Sequence, residues 1–520
     1  MNRLTAFAVG AALLVGISAA ADARTLRYAQ SSFGEENLDP TVTSIVAAVG
    51  TGGPLWDWLT ELDADGSLRP RLATSWQQSD DRLSWTLDLR DDATFHDGSP
   101  VTAEDVRFSL LEGFGRPESK ASRAPQFRKA IKDVVAVDPH KVRIELTSPW
   151  PTLPYDISTQ AGVEGIVLPK AYIERVGWDA FAREPVGSGP WKFARHQMGD
   201  MIEYEANESY WGGAPRFDKL RLLLVPEEST RLAMLSAGEV DIADITLDSV
   251  PVVEGEGMQV VADPQRSSVR VQLYGTYYDE ALPTADPRVR KALNLAINRQ
   301  ELVDALFGGS GNPAAVFPIG PLSIGYPADL QPYPFDPEEA RRLLDEAGQS
   351  GFRIKLYSMP VGGLQIHQQV AEAVAGYWEA IGVRTEVVPT DFGAFRPMYM
   401  AHPTPEALRG QASVFATTAR VNGLDDLTPF WVNQGGLAKM AAPGEIDAEY
   451  AAANQASSTE EIASNVAAAY RKLYEDYRGI PLADVTVAVW ALGPAIESLA
   501  VAPARGYVAP SLSRAVPAAQ

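Results

Sequence analysis

The chain has 520 residues, of which 46% are hydrophobic and 22% charged, with a net charge of −22 and no cysteine. The composition is globular, and the length calls for two or three hydrophobic cores. The acidity argues against nucleic acid and anionic membranes as partners and favours solubility. The missing thiol excludes disulfides, thiol nucleophiles, cysteine metal sites and a lipid anchor on an N-terminal cysteine.

Residues 1–23 read as a secretory signal. Arg3 supplies the positive start, Phe7–Ile17 an apolar run too short to span a bilayer comfortably, and Ala21-Asp22-Ala23 an A-x-A cleavage site. Removing the segment leaves the charge unchanged, because Arg3 and Asp22 cancel. No later segment offers eighteen uninterrupted apolar residues. The mature protein is therefore expected free in the periplasm; without an anchor it would diffuse away from a cell with a single membrane.

Strand-like and helix-like segments then alternate. Trp85, Leu87 and Leu89 alternate with Thr86, Asp88 and Arg90, which predicts a half-buried strand. His96-Asp97-Gly98 predicts a turn, and Thr102 with Asp105 predicts a capped helix start. Val142, Ile144 and Leu146 form a second alternating strand. Gly187-Ser188-Gly189 reads as a tight turn, since the further residues of a phosphate-binding loop are missing. Leu220–Val225 reads as a strand buried on both faces. Asp286-Pro287 opens a helix whose buried stripe is Val289, Ala292, Leu293, Ala296 and Ile297. Asp336-Pro337 opens another, with Ala340, Leu343, Leu344 and Ala347 inward and Gly348 at its end. Phe352, Ile354 and Leu356, then Val383–Val388, predict two more strands.

No catalytic signature is present: no H-E-x-x-H, G-x-S-x-G, Walker loop or dinucleotide glycine pattern. The five histidines, His96, His140, His196, His367 and His402, include no pair at metal-ligand spacing. No cofactor and no metal are expected. Trp76, Trp85 and Trp211 read as core residues; Trp56, Trp58, Trp378 and Trp431 can serve a core or an aromatic cleft wall.

Read as literal strings, these segments say more. Leu72–Trp76 reads L-A-T-S-W, Trp85–Arg90 W-T-L-D-L-R, and Phe95–Val106 F-H-D-G-S-P-V-T-A-E-D-V. P-V-G-S-G-P-W-K-F at 185–193, N-E-S-Y-W-G-G-A-P at 207–215, D-P-R-V-R-K-A-L-N-L-A-I-N-R at 286–299 and D-P-E-E-A-R-R-L-L-D-E-A-G at 336–348 follow in order. The chain resembles the family 5 solute-binding proteins, the receptors of ABC importers for peptides, nickel, opines and some sugars. It departs from their pattern mainly at Leu87, where Phe is usual, and at Asn298, where Asp is usual.

The resemblance implies an α/β bilobal periplasmic-binding-protein fold of type II with an extra subdomain and an interlobe ligand cleft that closes by hinge motion. The expected division is signal 1–23, lobe I at 24–56, 185–269 and 483–520, an inserted subdomain at 57–184, and lobe II at 270–482. The implied role is binding without chemistry. A monomer takes up a small solute of the peptide, opine or oligosaccharide class and delivers it to two permease subunits and their ATPases.

The ligand pocket departs from the dipeptide-binding relatives. They carry M-P-x-x-R-P-Y where this chain has M-P-V-G-G-L-Q at 359–365, so Gly363 stands at the arginine that pairs a peptide carboxylate and Gln365 at the tyrosine. Anchoring on Asn422-Gly423 puts Val421 at the aspartate that pairs a peptide amine, beside Arg420. A ligand charge buried without a partner costs several kcal/mol, so free dipeptides are expected to bind poorly. Arg420 can fork onto a carboxylate or phosphate, or be a structural ion pair; Arg396 is a weaker candidate. Asp425 and Asp426 can accept from hydroxyls or amines, or cap the helix that follows. The expected ligand contacts are Phe33, Gln365, Thr417, Thr418, Arg420, Asn422, Asp425 and Trp431. Peptide cargo and a glycoside, opine or sugar phosphate both stay open. So do a sensing or chaperone-like receptor without a transporter and, less favoured for want of a nucleophile–base motif, a secreted hydrolase.

Overall fold

Three sheets organise the chain in the computed structural model. It describes residues 24–43, 46–63, 66–159, 162–263, 267–359, 366–420, 422–432, 440–486, 488–501 and 511–518. The expected signal segment, Gly363, Gln365 and Val421 lie outside them.

The first sheet has seven strands, in the order Gln259–Ala262, Val489–Leu492, Ile242–Ile245, Thr25–Gln30, Lys219–Leu224, Met201–Ala206, Trp191–Gln197. Thr25–Gln30 runs parallel to both of its neighbours. Leu26, Tyr28, Leu220 and Leu222 pack with Trp56, Trp191 and Tyr204 into one core. The sequence predicts a strand buried on both faces at Leu220–Val225; instead, burial alternates along Lys219–Leu224. Its alternation leaves Arg221 on the outer side, where Nη2 meets Glu203 Oε2 at 2.6 Å. A guanidinium in the strand needs a solvated face or a partner, and here it has both.

The second sheet is antiparallel, in the order Ala73–Gln78, Ser84–Leu89, Lys141–Leu146, Ile131–Asp138. Trp85, Leu87 and Leu89 share its buried face with Val142, Ile144 and Leu146, packed with Val106 of the helix Ala103–Phe108. That helix starts as its sequence dictates: Thr102 and Asp105 form a reciprocal capping box. Trp76 and Trp211 pack on the rim of this core.

The third sheet has six strands, in the order Gly311–Pro313, Ile480–Val485, Ser267–Leu273, Ala412–Thr418, Arg353–Ser358, Arg384–Pro389. Period-two alternation divides its faces. Val269, Val271, Leu273, Ile354, Leu356, Val414 and Ala416 bury against the helices Pro287–Leu295, Arg299–Phe307 and His367–Ala380. Both predicted caps form: Asp286 accepts from the Arg288 amide and Asp336 from the Glu339 amide. Residues on the opposite face, such as Phe415, meet the helix Phe392–Met400, while Gly423–Trp431 and Thr459–Glu475 form a further core with Phe317. Trp56, Trp58, Trp378 and Trp431 are all core residues.

The chain crosses from the first sheet to the third between Ala262 and Ser267 and returns between Val485 and Val489. The expected bounds at 270 and 482 both fall inside paired strands. A strand hydrogen-bonded along its length moves with its sheet, so any division lies in the crossings.

His96 staples the Gly187-Ser188-Gly189 turn. Its backbone N–H donates to Gly187 O at 2.8 Å, its Nδ1 accepts from the Gly187 N–H at 3.2 Å, and its Nε2 lies 3.0 Å from Gly189 O. The amide at Nδ1 requires a neutral ring with the proton on Nε2. Burial pushes the imidazole down to about 4. The folded state thus binds this proton less readily than the unfolded chain, whose histidine titrates near the ordinary 6.5. Stability is complete above pH 6.5 and falls as pH drops toward 4, by up to about 3 kcal/mol. Urea midpoints measured across that window should fall with acid in the native protein and fall less in His96→Gln; parallel profiles would refute the staple's role.

Candidate functional site

Three strands of the third sheet, Arg353–Ser358, Arg384–Pro389 and Ala412–Thr418, are mutually parallel, so their carboxyl ends gather at one edge. In open α/β sheets that edge is where ligands bind. Ser267, the first residue after the crossing, sits at the same edge opposite Thr418, with the two hydroxyl oxygens 3.3 Å apart. A hollow of about 620 Å³ lies at the amino ends of the same strands, among Arg353, Lys355, Glu379, Arg384 and Glu386. It is an open charged surface at the far end from this edge.

Arg270 underlies the edge. Its guanidinium donates to Thr417 Oγ1 at 2.9 Å and to Ser268 O at 3.2 Å, between the rings of Phe317 and Phe415. Burial pulls it down to about 10, so it stays charged at neutral pH. Beyond Thr418 the chain turns into the helix Gly423–Trp431. Asn422 caps it through Oδ1, which accepts from the Leu424 amide, while its buried Nδ2 has no partner among the described residues. Gly423 is required by space: a Cβ there would come within 2.4 Å of Ile324 O.

Arg420 is engaged with this helix start. Its amide donates to Asp426 Oδ2 at 3.0 Å, its Nε lies 3.3 Å from Asp426 Oδ1, and its Nη1 donates to Asp425 O. A quarter of the side chain stays exposed. The Asp425 carboxylate reaches across to Arg123, which precedes the helix Ala124–Ala130 in the unit built on the second sheet. Arg123 also pairs with Asp156, and its amide donates to Glu164 Oε1 at 2.6 Å. Asp156 accepts in addition from Trp150 Nε1 at 2.7 Å and Thr152 Oγ1 at 2.9 Å. Burial still pushes the Asp156 carboxyl above the usual carboxylate range.

Thr417, Thr418, Arg420, Asn422 and Asp425 are thus brought together. Phe33 is not among them. It is packed with Leu26 and Trp56 in the first-sheet core, because an apolar ring following a buried strand finds more surface there. Trp431 packs against Phe317 in the core of the helices over the third sheet. Arg123, Asp156 and Arg270 were missed. For Arg270 a signal existed: Ser268, Arg270 and Gln272 alternate with Val269, Val271 and Leu273, which marks a polar face. For Arg123 there was none, since its partner lies 302 residues away. The edge offers cations, carboxylates and hydroxyls beside aromatic rings, groups suited to holding a polar solute.

The family model of the bacterial extracellular solute-binding proteins, family 5 Middle, matches residues 67–419. Heme-binding protein A of Haemophilus influenzae is 29% identical over 358 residues, 63% of each chain. Glutathione-binding protein GsiB of Salmonella typhimurium is 31% identical over 360 residues, 68% of each. Among solved structures, HbpA2 from Haemophilus parasuis superposes with a TM-score of 0.80 at 23% identity, covering 94% of this chain and 99% of that one. That likeness shows a shared bilobal fold.

Proposed function

The chain belongs to the bacterial extracellular solute-binding proteins of family 5, and on that footing we propose that it is the periplasmic receptor of an ABC importer. The segment 1–23 exports it. It captures a solute between the lobe built on the first sheet and the lobe built on the third, closes, and hands the solute unaltered to two permease subunits driven by ATPases. The observation that carries this reading is the pair of short crossings at 262–267 and 485–489 beside the carboxyl edge of the third sheet. Two crossings side by side make a hinge, and the edge beside them is where a swinging lobe traps a guest.

The cargo is a peptide or peptide-like molecule, and the glutathione-binding relative supports that class. A second reading, an opine, glycoside or sugar phosphate, is supported by Gly363 and Val421 at the two positions where dipeptide receptors carry charged anchors. The exposed edge of Arg420 then serves a cargo carboxylate or phosphate, with Thr417, Thr418 and Asn422 as hydrogen-bonding neighbours. Calorimetry against free dipeptides, glutathione, an opine and a sugar phosphate decides between the two. Free dipeptides are expected at least about 100-fold weaker than the best of the others, the cost of one buried unpaired charge. Small-angle scattering with the bound compound should show a smaller radius of gyration. Nanomolar dipeptide binding would overturn the missing-anchor argument, and turnover of any compound would overturn the receptor reading.

A further inference from the structure

We propose that Arg123 is the cation on which this receptor closes: Asp425 is reserved for an ion pair between the lobes and is not a cargo contact. The inference rests on the two-lobed receptor reading above. Arg123, Asp156 and Glu164 belong to the unit that carries the second sheet, and Asp425 to the first turn of a helix over the third. The guanidinium is a fork held at one prong. Nη1 is fixed by Asp156, itself held by Trp150 and Thr152, and Nη2 projects to Asp425. Planar geometry makes the second prong a preset receptor for a carboxylate.

The pair is built to break. When the lobes part, Arg123 keeps Asp156 and no buried charge is stranded, while Asp425 passes from a site already 17% exposed into water. A symmetric buried pair would leave two orphaned charges and resist opening. A further contact joins the same bodies: Arg82 Nη1 donates to Gln455 O. The consequence for recognition is exclusion. A cargo ammonium seeking Asp425 must displace a guanidinium that is already oriented, so the carboxylate selects against cationic groups at that point instead of anchoring them.

The cysteine-free chain makes the test clean. Asp91→Cys and Ser464→Cys place spin labels on exposed positions of the two bodies. In the ligand-free protein, pulsed distance measurements should show Asp425→Asn shifting the population toward longer separations, with the closed fraction down about tenfold. Asp425→Glu should keep part of the closed fraction. Arg123→Gln should open the protein too, with some loss of melting temperature because Asp156 is then buried without its cation. An unchanged distance distribution in folded Asp425→Asn overturns the proposal whatever else is seen. If glutathione still shortens the distance in that variant, the receptor reading survives the loss; if neither substitution nor glutathione moves the labels, both fall.

Discussion

Gly187→Ala is expected to cost at least about 3 kcal/mol and to lower the melting temperature by many degrees or prevent soluble expression. An alanine Cβ there would stand 2.0 Å from Leu55 O and 2.9 Å from the Trp56 ring. The first obstacle is backbone, so no rotamer change relieves it. The turn cannot retreat either, because His96 grips Gly187 and Gly189, and Asn207 Nδ2 donates to Gly189 O at 3.1 Å. Four chain segments meet at this point, and one added carbon must part them. Ser188→Ala is the control. Ser188 is fully buried and its hydroxyl has no partner among the described residues, so its removal should be neutral or slightly stabilising. Thermal melts of the two variants test the account; similar melting temperatures would refute it.

Arg299→Met is the second large effect, expected at about 3–5 kcal/mol. The Arg299 guanidinium donates from Nε to Pro481 O at 2.7 Å, from Nη1 to Asn294 O at 3.0 Å and from Nη2 to Asn294 Oδ1 at 2.8 Å, beneath the Tyr333 ring. It stitches the helix Pro287–Leu295 to the strand Ile480–Val485, which leads to the return crossing. Burial pulls it down to about 10, still protonated at neutral pH. Methionine fills the volume but takes away the guanidinium donors to Pro481 O, Asn294 O and the Asn294 amide oxygen. Arg299→Lys restores charge without the fork and should recover less than half of the loss. Full recovery by lysine in urea unfolding would show that charge, not geometry, matters here.

The interlobe ion pair and the missing zwitterion anchors point the same way. The charges at the third-sheet edge are committed to the protein: Arg420 to Asp426, Asp425 to Arg123. On the proposed receptor reading, a cargo bound there would be recognised by hydroxyls, amides, the exposed edge of Arg420 and aromatic surface, with closure drawing part of its free energy from within the chain.

What the residues alone determined is what depends on short range. Alternation at Trp85–Leu89 and Val142–Leu146, the caps at Thr102, Asp286 and Asp336, and the turn at Gly98 each follow from neighbours a few positions apart, and each formed. The ordered family strings carried the bilobal architecture for the same reason: they are long, local and contiguous. Only the tertiary structure decided which charges were free. Asp425 looks identical in sequence whether it faces a cargo amine or Arg123, and Arg420 whether it forks onto a solute or onto Asp426. The partner of a buried charge is set by which distant segments the fold places within a few ångströms, and the desolvation of the pair by everything packed around it. Neither quantity is written in the spacing of residues along one chain.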